Sequence, residues 1–370
     1  MAPPESFSRS RLVWARRRRG FTQVELAAAI GTDVRSIKGY EAGAFAPQPD
    51  RLRAIALRLE FPARFFFGQD IGDLAPERAS FRLPSTMPAG LRSMVLGGAA
   101  LAIAIDQWIA SRYALPEMNL PDPRATADAD TEAAAEALRR RWDLGNVPID
   151  NVIRLIEAKG IRIYSLPPDA IAAGAFSLWH ADRPYMFLDP FTSPNHLRLD
   201  AARELGHLLL HRRTAAVGRK AEQDAIAFAR AFLIPAPSRQ ADPASFLSLD
   251  GIATGSKSWG VPPHALAHRL HELGQLSEWQ YRKLNIGDAD DVRQHEGGLA
   301  HGLAPEILQA VFAALRAHGI TRHTLARELH LYLKDVDDLT FGQGSALLND
   351  VAGPERKFPR LRPRLAVVRS

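Results

Sequence analysis

The chain has 370 residues, is 46% hydrophobic and 24% charged, and carries a net charge of +6, which suits two or three cored globular domains. It lacks cysteine, so disulfides and thiolate metal sites are excluded and any metal must be held by His and carboxylates. Residues 1–70 hold 12 Lys and Arg against 7 Asp and Glu; this local excess fits a polyanion partner, although a solvated helix face gives the same count.

The first residues are basic without a following apolar stretch, so they do not read as a secretory signal. Arg9 to Arg64 reads as a run of short helices. Within it, Thr22 and Glu25 have capping-box spacing, and Leu26, Ala27 and Ile30 form a buried side. Gly31 supplies a tight turn. Asp33 caps the next helix, whose inward positions are Ile37 and Tyr40, and Gly43 ends it. A short helix, a tight turn and a second short helix form the unit that enters a major groove.

Ile71 to Pro88 mixes Gly, Pro, Asp and Ser and reads as a linker. An Ala-rich helix follows from about Leu91 to Tyr113. Its apolar run, Met94 to Ile105, is too short to span a bilayer and reads as a core helix. Pro116, Pro121 and Pro123 interrupt the chain. Thr131 to Trp142 is helical, with Glu132 and Glu136 early and Arg139 to Arg141 late, as the helix dipole favours. Ile149 to Lys159 is a further helix, and Gly160 ends it.

The period then changes. Ile161–Leu166, Ala173–Leu178 and Tyr185–Leu188 read as strands. His196–His211 and Glu222–Leu233 are apolar helices. Beyond Pro235 the chain reads as helical to about Leu348, with a second helix-turn-helix outline over Thr321 to Gly342. Its Asp335, Asp337 and Asp338 would repel phosphate, so it reads as a packing or protein-contact element rather than a second DNA reader. The Arg- and Pro-rich stretch from Pro354 reads as a loose tail.

Two motifs carry the functional reading. The first resembles the XRE, phage-repressor-like helix-turn-helix family, on Thr22-Gln23, Leu26-Ala27, Gly31, Ile37, Glu41 and Gly43. The resemblance implies that the Asp33–Ala42 helix reads DNA. It makes Arg35, Ser36 and Lys38 candidate contacts and Gln23 a phosphate contact, with Arg16 to Arg19 adding attraction to the backbone.

The second motif is Asp200-Ala-Ala-Arg-Glu-Leu-Gly-His-Leu-Leu-Leu-His. A zinc peptidase helix reads H-E-x-x-H, with two His on one face and a Glu that activates water. Here Arg203 stands at the first His position. With Ala175-Phe-Ser, Phe187-Leu-Asp, Glu222 and Phe228-Ala229, this region resembles the ImmA/IrrE metallopeptidases, whose long form follows an XRE domain.

That resemblance implies zinc, a partner repressor as substrate, Glu204 as general base, and His207 and Glu222 as surviving ligands. It also marks Ile226 as a departure, because the family has Asn or Asp there. Arg203 has no acceptor and stays charged, so it cannot bind zinc; pairing with Glu222 would let it stand in for the metal. A shifted site of His207, His211 and Glu222 would lie about one helical turn, roughly 5 Å, away. His271-Glu-Leu-Gly-Gln275 lacks the second His, and His264 and His268, at i,i+4, lack a completing carboxylate pattern.

The expected fold is mainly α with a small α+β part. A five-helix repressor-like domain spans 1–70, and linker and connecting helices span 71–148. A zincin-like core with a short sheet spans 149–240, a helical region 241–350 and a tail 351–370. The expected protein is a cytoplasmic regulator, homodimeric on double-stranded DNA, with an inactive peptidase-like sensor or partner-binding domain and weak or absent zinc. The rival readings are an active zinc endopeptidase that cuts a partner repressor, and a prophage or toxin–antitoxin partner acting by protein contacts.

Overall fold

A computed structural model describes residues 6–72, 74, 79–80, 87–122, 130–212, 218–236, 248–284 and 305–342. The tail, and parts of the linker and the C-terminal region, lie outside these residues.

Four helices, α1 (Arg9–Arg18), α2 (Gln23–Ala29), α3 (Val34–Ala42) and α4 (Pro49–Leu59), and a 3-10 turn (Ala63–Phe67) form the N-terminal unit. Local rules explain its boundaries. The Thr22 side chain accepts from the Glu25 backbone, and Glu25 accepts from the Thr22 backbone, closing the capping box. Asp33 caps α3. Gly31 turns the chain at φ +63°, a conformation that glycine adopts without steric cost. Leu12, Leu26, Ile37, Ile55, Leu59 and Phe66 are fully buried between these helices.

The next helix, α5 (Ala89–Ala110), is 22 residues long and apolar enough to cross a membrane, yet most of it is buried inside the protein. A Cβ on Gly97 would lie 2.5 Å from the Arg18 backbone nitrogen. Glycine therefore lets α1 and α5 approach closely, which joins the N-terminal unit to the rest through packed backbone. Ile71 and Leu74, from the segment read as a linker, are also buried.

α6 (Thr131–Arg141) and α7 (Val152–Ala158) follow. The expected start of α7 at Ile149 moves to Asn151, whose side chain accepts from the Arg154 backbone. The Ile149 carbonyl instead accepts from buried Arg198, which also binds the Asp150 and Gly260 carbonyls.

The sheet has the order β1-β3-β4-β2. β1 is Ala79–Ser80, β2 Arg162–Ser165, β3 Phe176–His180 and β4 Arg183–Leu188. β2 pairs parallel to β4, whereas β3 is antiparallel to both β4 and β1. β3 begins later than expected because residues 168–173 coil into a 3-10 turn closed by Gly174 at φ +71°. β1 was not expected.

α8 (Pro194–Leu210) packs on β3, β4 and α9 (Arg219–Leu233). The remaining helices are α10 (Leu249–Trp259), α11 (Pro263–Glu272), α12 (Glu278–Lys283), α13 (Glu306–Ala317), α14 (Arg322–Leu329) and α15 (Leu333–Leu339). α14 and α15 form the expected short helix pair, with Leu325, Ala326, Val336 and Leu339 buried.

Glu157 on α7 accepts from the backbone nitrogens of Glu306 and Ile307 at the start of α13. Burial pushes its carboxyl up to about 8 despite those bonds. A raised acid favours the folded state at low pH, and that contribution is lost as pH rises from the ordinary carboxylate range through about 8. Glu157→Gln keeps an acceptor for α13 and removes the titration. Urea unfolding at pH 5.5 and 8.5 is therefore expected to show a smaller loss of stability in the variant than in the wild type.

Candidate functional site

The first site is the outer face of α3. Ile37 and Tyr40 point inward, at 0% and 6% exposure. Arg35 and Lys38 are exposed and Ser36 is half-buried. Gln23 opens α2, and its amide nitrogen donates to Glu41 Oε2 at 2.7 Å. Arg16 grips the same carboxylate at 2.5 and 2.8 Å. This chain of contacts ties α1, α2 and α3 together. The Gln23 amide carries two protons, so a second donor remains for a phosphate.

Three arginines of the Arg16–Arg19 run are paired with carboxylates of the protein itself. Arg16 is spent on Glu41, and Arg17 lies over the Trp14 ring at 4.9 Å. Arg18 is 1% exposed and binds Asp169 at 2.8 Å. Arg19 pairs with Asp335 at 2.8 Å and donates to the Leu59 and Glu60 carbonyls. Arg18 and Arg19 clamp the N-terminal unit to the body, because carboxylates from distant parts of the chain meet them.

The same pairing accounts for the acids of the second helix pair. Asp335 is buried against Arg19, Asp337 binds Arg322 at 2.7 Å, and Asp338 binds Lys334. These charges serve packing, in keeping with the reading of that segment as a packing element.

The second site lies between α8, α9 and β3. Arg203 is 3% exposed. Its guanidinium donates to Glu222 Oε1 at 3.0 Å, to Glu204 Oε1 at 2.8 Å and to the Ala175 carbonyl at 3.3 Å. Asp200 lies 3.5 Å away. Ser177 on β3 donates to Glu204 Oε2 at 2.8 Å. Burial opposes the Arg203 charge, but Asp200, Glu204 and Glu222 outweigh it and hold the group even more firmly protonated. The Glu204 pKa is also raised: burial disfavours its charged form, while Arg203 and His207 oppose that rise.

His207 Nε2 is 3.2 Å from Glu222 Oε2, and its Nδ1 is 3.1 Å from His211 Nδ1. Burial and the neighbouring His207 lower His211 to about 4. The two nitrogens of the His207 ring thus face different partners. One metal cannot use His207 Nε2 beside Glu222 and also take His211 at the opposite nitrogen. Among the described residues, no group of three His, Asp or Glu has a geometry that could hold a metal.

The zinc that the resemblance implies does not fit the residues present. The position of a ligand is filled by a cation that engages both Glu204 and Glu222. The sequence reading brought Arg203, Glu204, His207, His211 and Glu222 to one place, but it gave no role to Ser177 or Asp200. Ile226 is half-buried on α9. His268 pairs with Glu272 at 3.3 Å, and His271 stacks on Tyr281.

A short helix pair with an exposed basic face and a helix-borne acid and histidine cluster on a small sheet define a helix-turn-helix protein with a peptidase-like second unit. Comparison with family models agrees: a helix-turn-helix model matches residues 12–66, and a peptidase model described as the IrrE N-terminal-like domain matches residues 156–271. The chain is a fusion of an XRE-type helix-turn-helix domain and an IrrE-like peptidase-type domain. No curated protein matches it.

Proposed function

We propose that the protein is a DNA-binding transcriptional regulator whose IrrE-like unit is an inactive sensor or partner-binding domain. The observation that carries this reading is the engagement of Arg203 with both Glu204 and Glu222. The residues that would bind metal and activate water are spent on one another, while α3 keeps Arg35 and Lys38 facing solvent.

In this reading α3 enters the major groove. Arg35, Ser36 and Lys38 reach base edges or phosphates, and Gln23 binds a phosphate. A homodimer places two such helices on half-sites about 34 Å apart. In this reading the protein meets double-stranded DNA in the cytoplasm. Glu204 as general base, with His207 and Glu222 as zinc ligands, belongs to the rival peptidase reading, in which a partner repressor is cut.

The test uses purified full-length protein. Its affinity for genomic fragments is expected to fall steeply with salt, because bound phosphates release counterions, and a palindromic footprint is expected. Zinc measured on the same sample is expected well below one per chain. An affinity indifferent to salt would remove the regulator reading. Stoichiometric zinc with cleavage of a repressor would establish the rival.

A further inference from the structure

The outward face of α3 is not wholly polar. Successive helix residues turn by about 100°, so Arg35, Lys38, Gly39 and Ala42 share the side opposite buried Ile37 and Tyr40. Glycine weakens a helix interior, and here the packing gives the reason for it. A Cβ on Gly39 would lie 2.5 Å from both Cε1 and Cζ of Phe45. Phe45, in the loop after α3, therefore lays its ring against the bare backbone of that helix.

The loop holds the ring in place. Gly43 ends α3 at φ +75°, and the Ala44 N–H donates back to the Gly39 carbonyl at 2.9 Å, which closes the helix end and fixes the path of the chain. The Phe45 ring meets the Tyr40 ring edge-on at 5.2 Å. It nevertheless stays 53% exposed. A glycine in a helix and an aromatic in water are both unfavourable. Both gain a use if the ligand of this face carries an apolar group.

The rest of the face is basic, through Arg35 and Lys38, which suits a polyanion. Duplex DNA is the polyanion that displays an apolar group in a groove open to protein, the thymine 5-methyl of the major groove. Double-stranded RNA does not fit, because its major groove is too deep and narrow for side chains to read. We propose that Phe45 is a specificity-determining residue that contacts the 5-methyl of a thymine in each half-site, next to the base pairs reached from Arg35, Ser36 and Lys38. This rests on the reading of α3 as the DNA-reading helix and adds a base to what that helix specifies.

The test uses full-length protein and the duplex of its genomic footprint, with each thymine replaced in turn by deoxyuridine, which removes only the methyl. The wild type is expected to lose about fourfold in affinity at one thymine per half-site, the effect of withdrawing one methyl from an apolar contact. Phe45→Ala should bind the unmodified duplex more weakly and show no further loss with uridine at that position. Phe45→Leu keeps an apolar side chain and should keep part of the response. Gly39→Ala removes nothing from the ring but takes away its seat, so it should lose the response while favouring the helix.

Equal responses to uridine in the wild type and Phe45→Ala overturn the proposal, as does a wild type that ignores uridine at every position. Salt-dependent binding to the same duplex would in either case leave the regulator reading standing. Absence of any salt-dependent duplex affinity would remove both.

Discussion

Arg203→Ala is expected to destabilise the protein by about 3–5 kcal/mol, the range seen when one partner of a buried ion pair is removed. Glu204 is 1% exposed and keeps the Ser177 donor, and Glu222 keeps its contact with His207. Both carboxylates would lose the guanidinium that faces their charge, and a buried carboxylate that loses its cation is costly. Adding Glu204→Gln and Glu222→Gln to Arg203→Ala should recover much of the loss, because the residues form one coupled network. Arg203→His behaves differently. It restores a ligand at the i,i+4 spacing with His207, so zinc should raise the melting temperature of this variant and bind near one per chain. Urea unfolding and metal analysis of the wild type and the three variants check these outcomes. Equal stability of Arg203→Ala and wild type would mean that the cluster is not held together by the guanidinium.

Local features were legible where the signal is local. Thr22, Glu25, Gly31 and Asp33 set helix ends through bonds to near neighbours, so their spacing sufficed. The Glu-first, Arg-last order of α6 likewise matched its bounds. Features that depend on distant partners were not legible. Arg16–Arg19 reads as a phosphate-attracting run until Asp169 and Asp335 meet it, 151 and 316 residues away. β1 has two residues and no alternation; its pairing with β3 alone makes it a strand.

The candidate cluster was legible in composition and in one contact, the Arg203–Glu222 pair, but not in the rest of its wiring. Residues one turn apart on α8 had to share a face, and Glu222 followed on the next helix. The guanidinium fork that binds Glu204 and Glu222 together depends on how α8 and α9 pack. Ser177 entered only through the resemblance, because a serine in a short strand has no pattern of its own. The register of β3 against α8 brings its hydroxyl to Glu204.

The other large effect concerns DNA. Arg35 and Lys38 occupy the outer face of α3, and neither is held by an ion pair among the described residues. Arg19, by contrast, gives its charge to Asp335, so basic composition alone does not decide which side chains meet DNA. A base contact of the bidentate kind contributes about 1–3 kcal/mol, and a phosphate contact contributes about one to the salt slope. Arg35→Ala with Lys38→Ala is therefore expected to weaken operator binding on the order of a hundredfold or more. The slope of log affinity against log salt should become shallower by about one to two. Thermal unfolding should barely move, because exposed substitutions away from caps and cores are nearly neutral. Arg35→Ala alone should relax preference at particular base pairs, whereas Lys38→Ala should weaken all sequences alike if it holds phosphate. Fluorescence anisotropy on operator and scrambled duplexes at several salt concentrations separates these effects. A double variant with wild-type affinity and slope would show that α3 does not read the duplex and that the positive surface serves another partner.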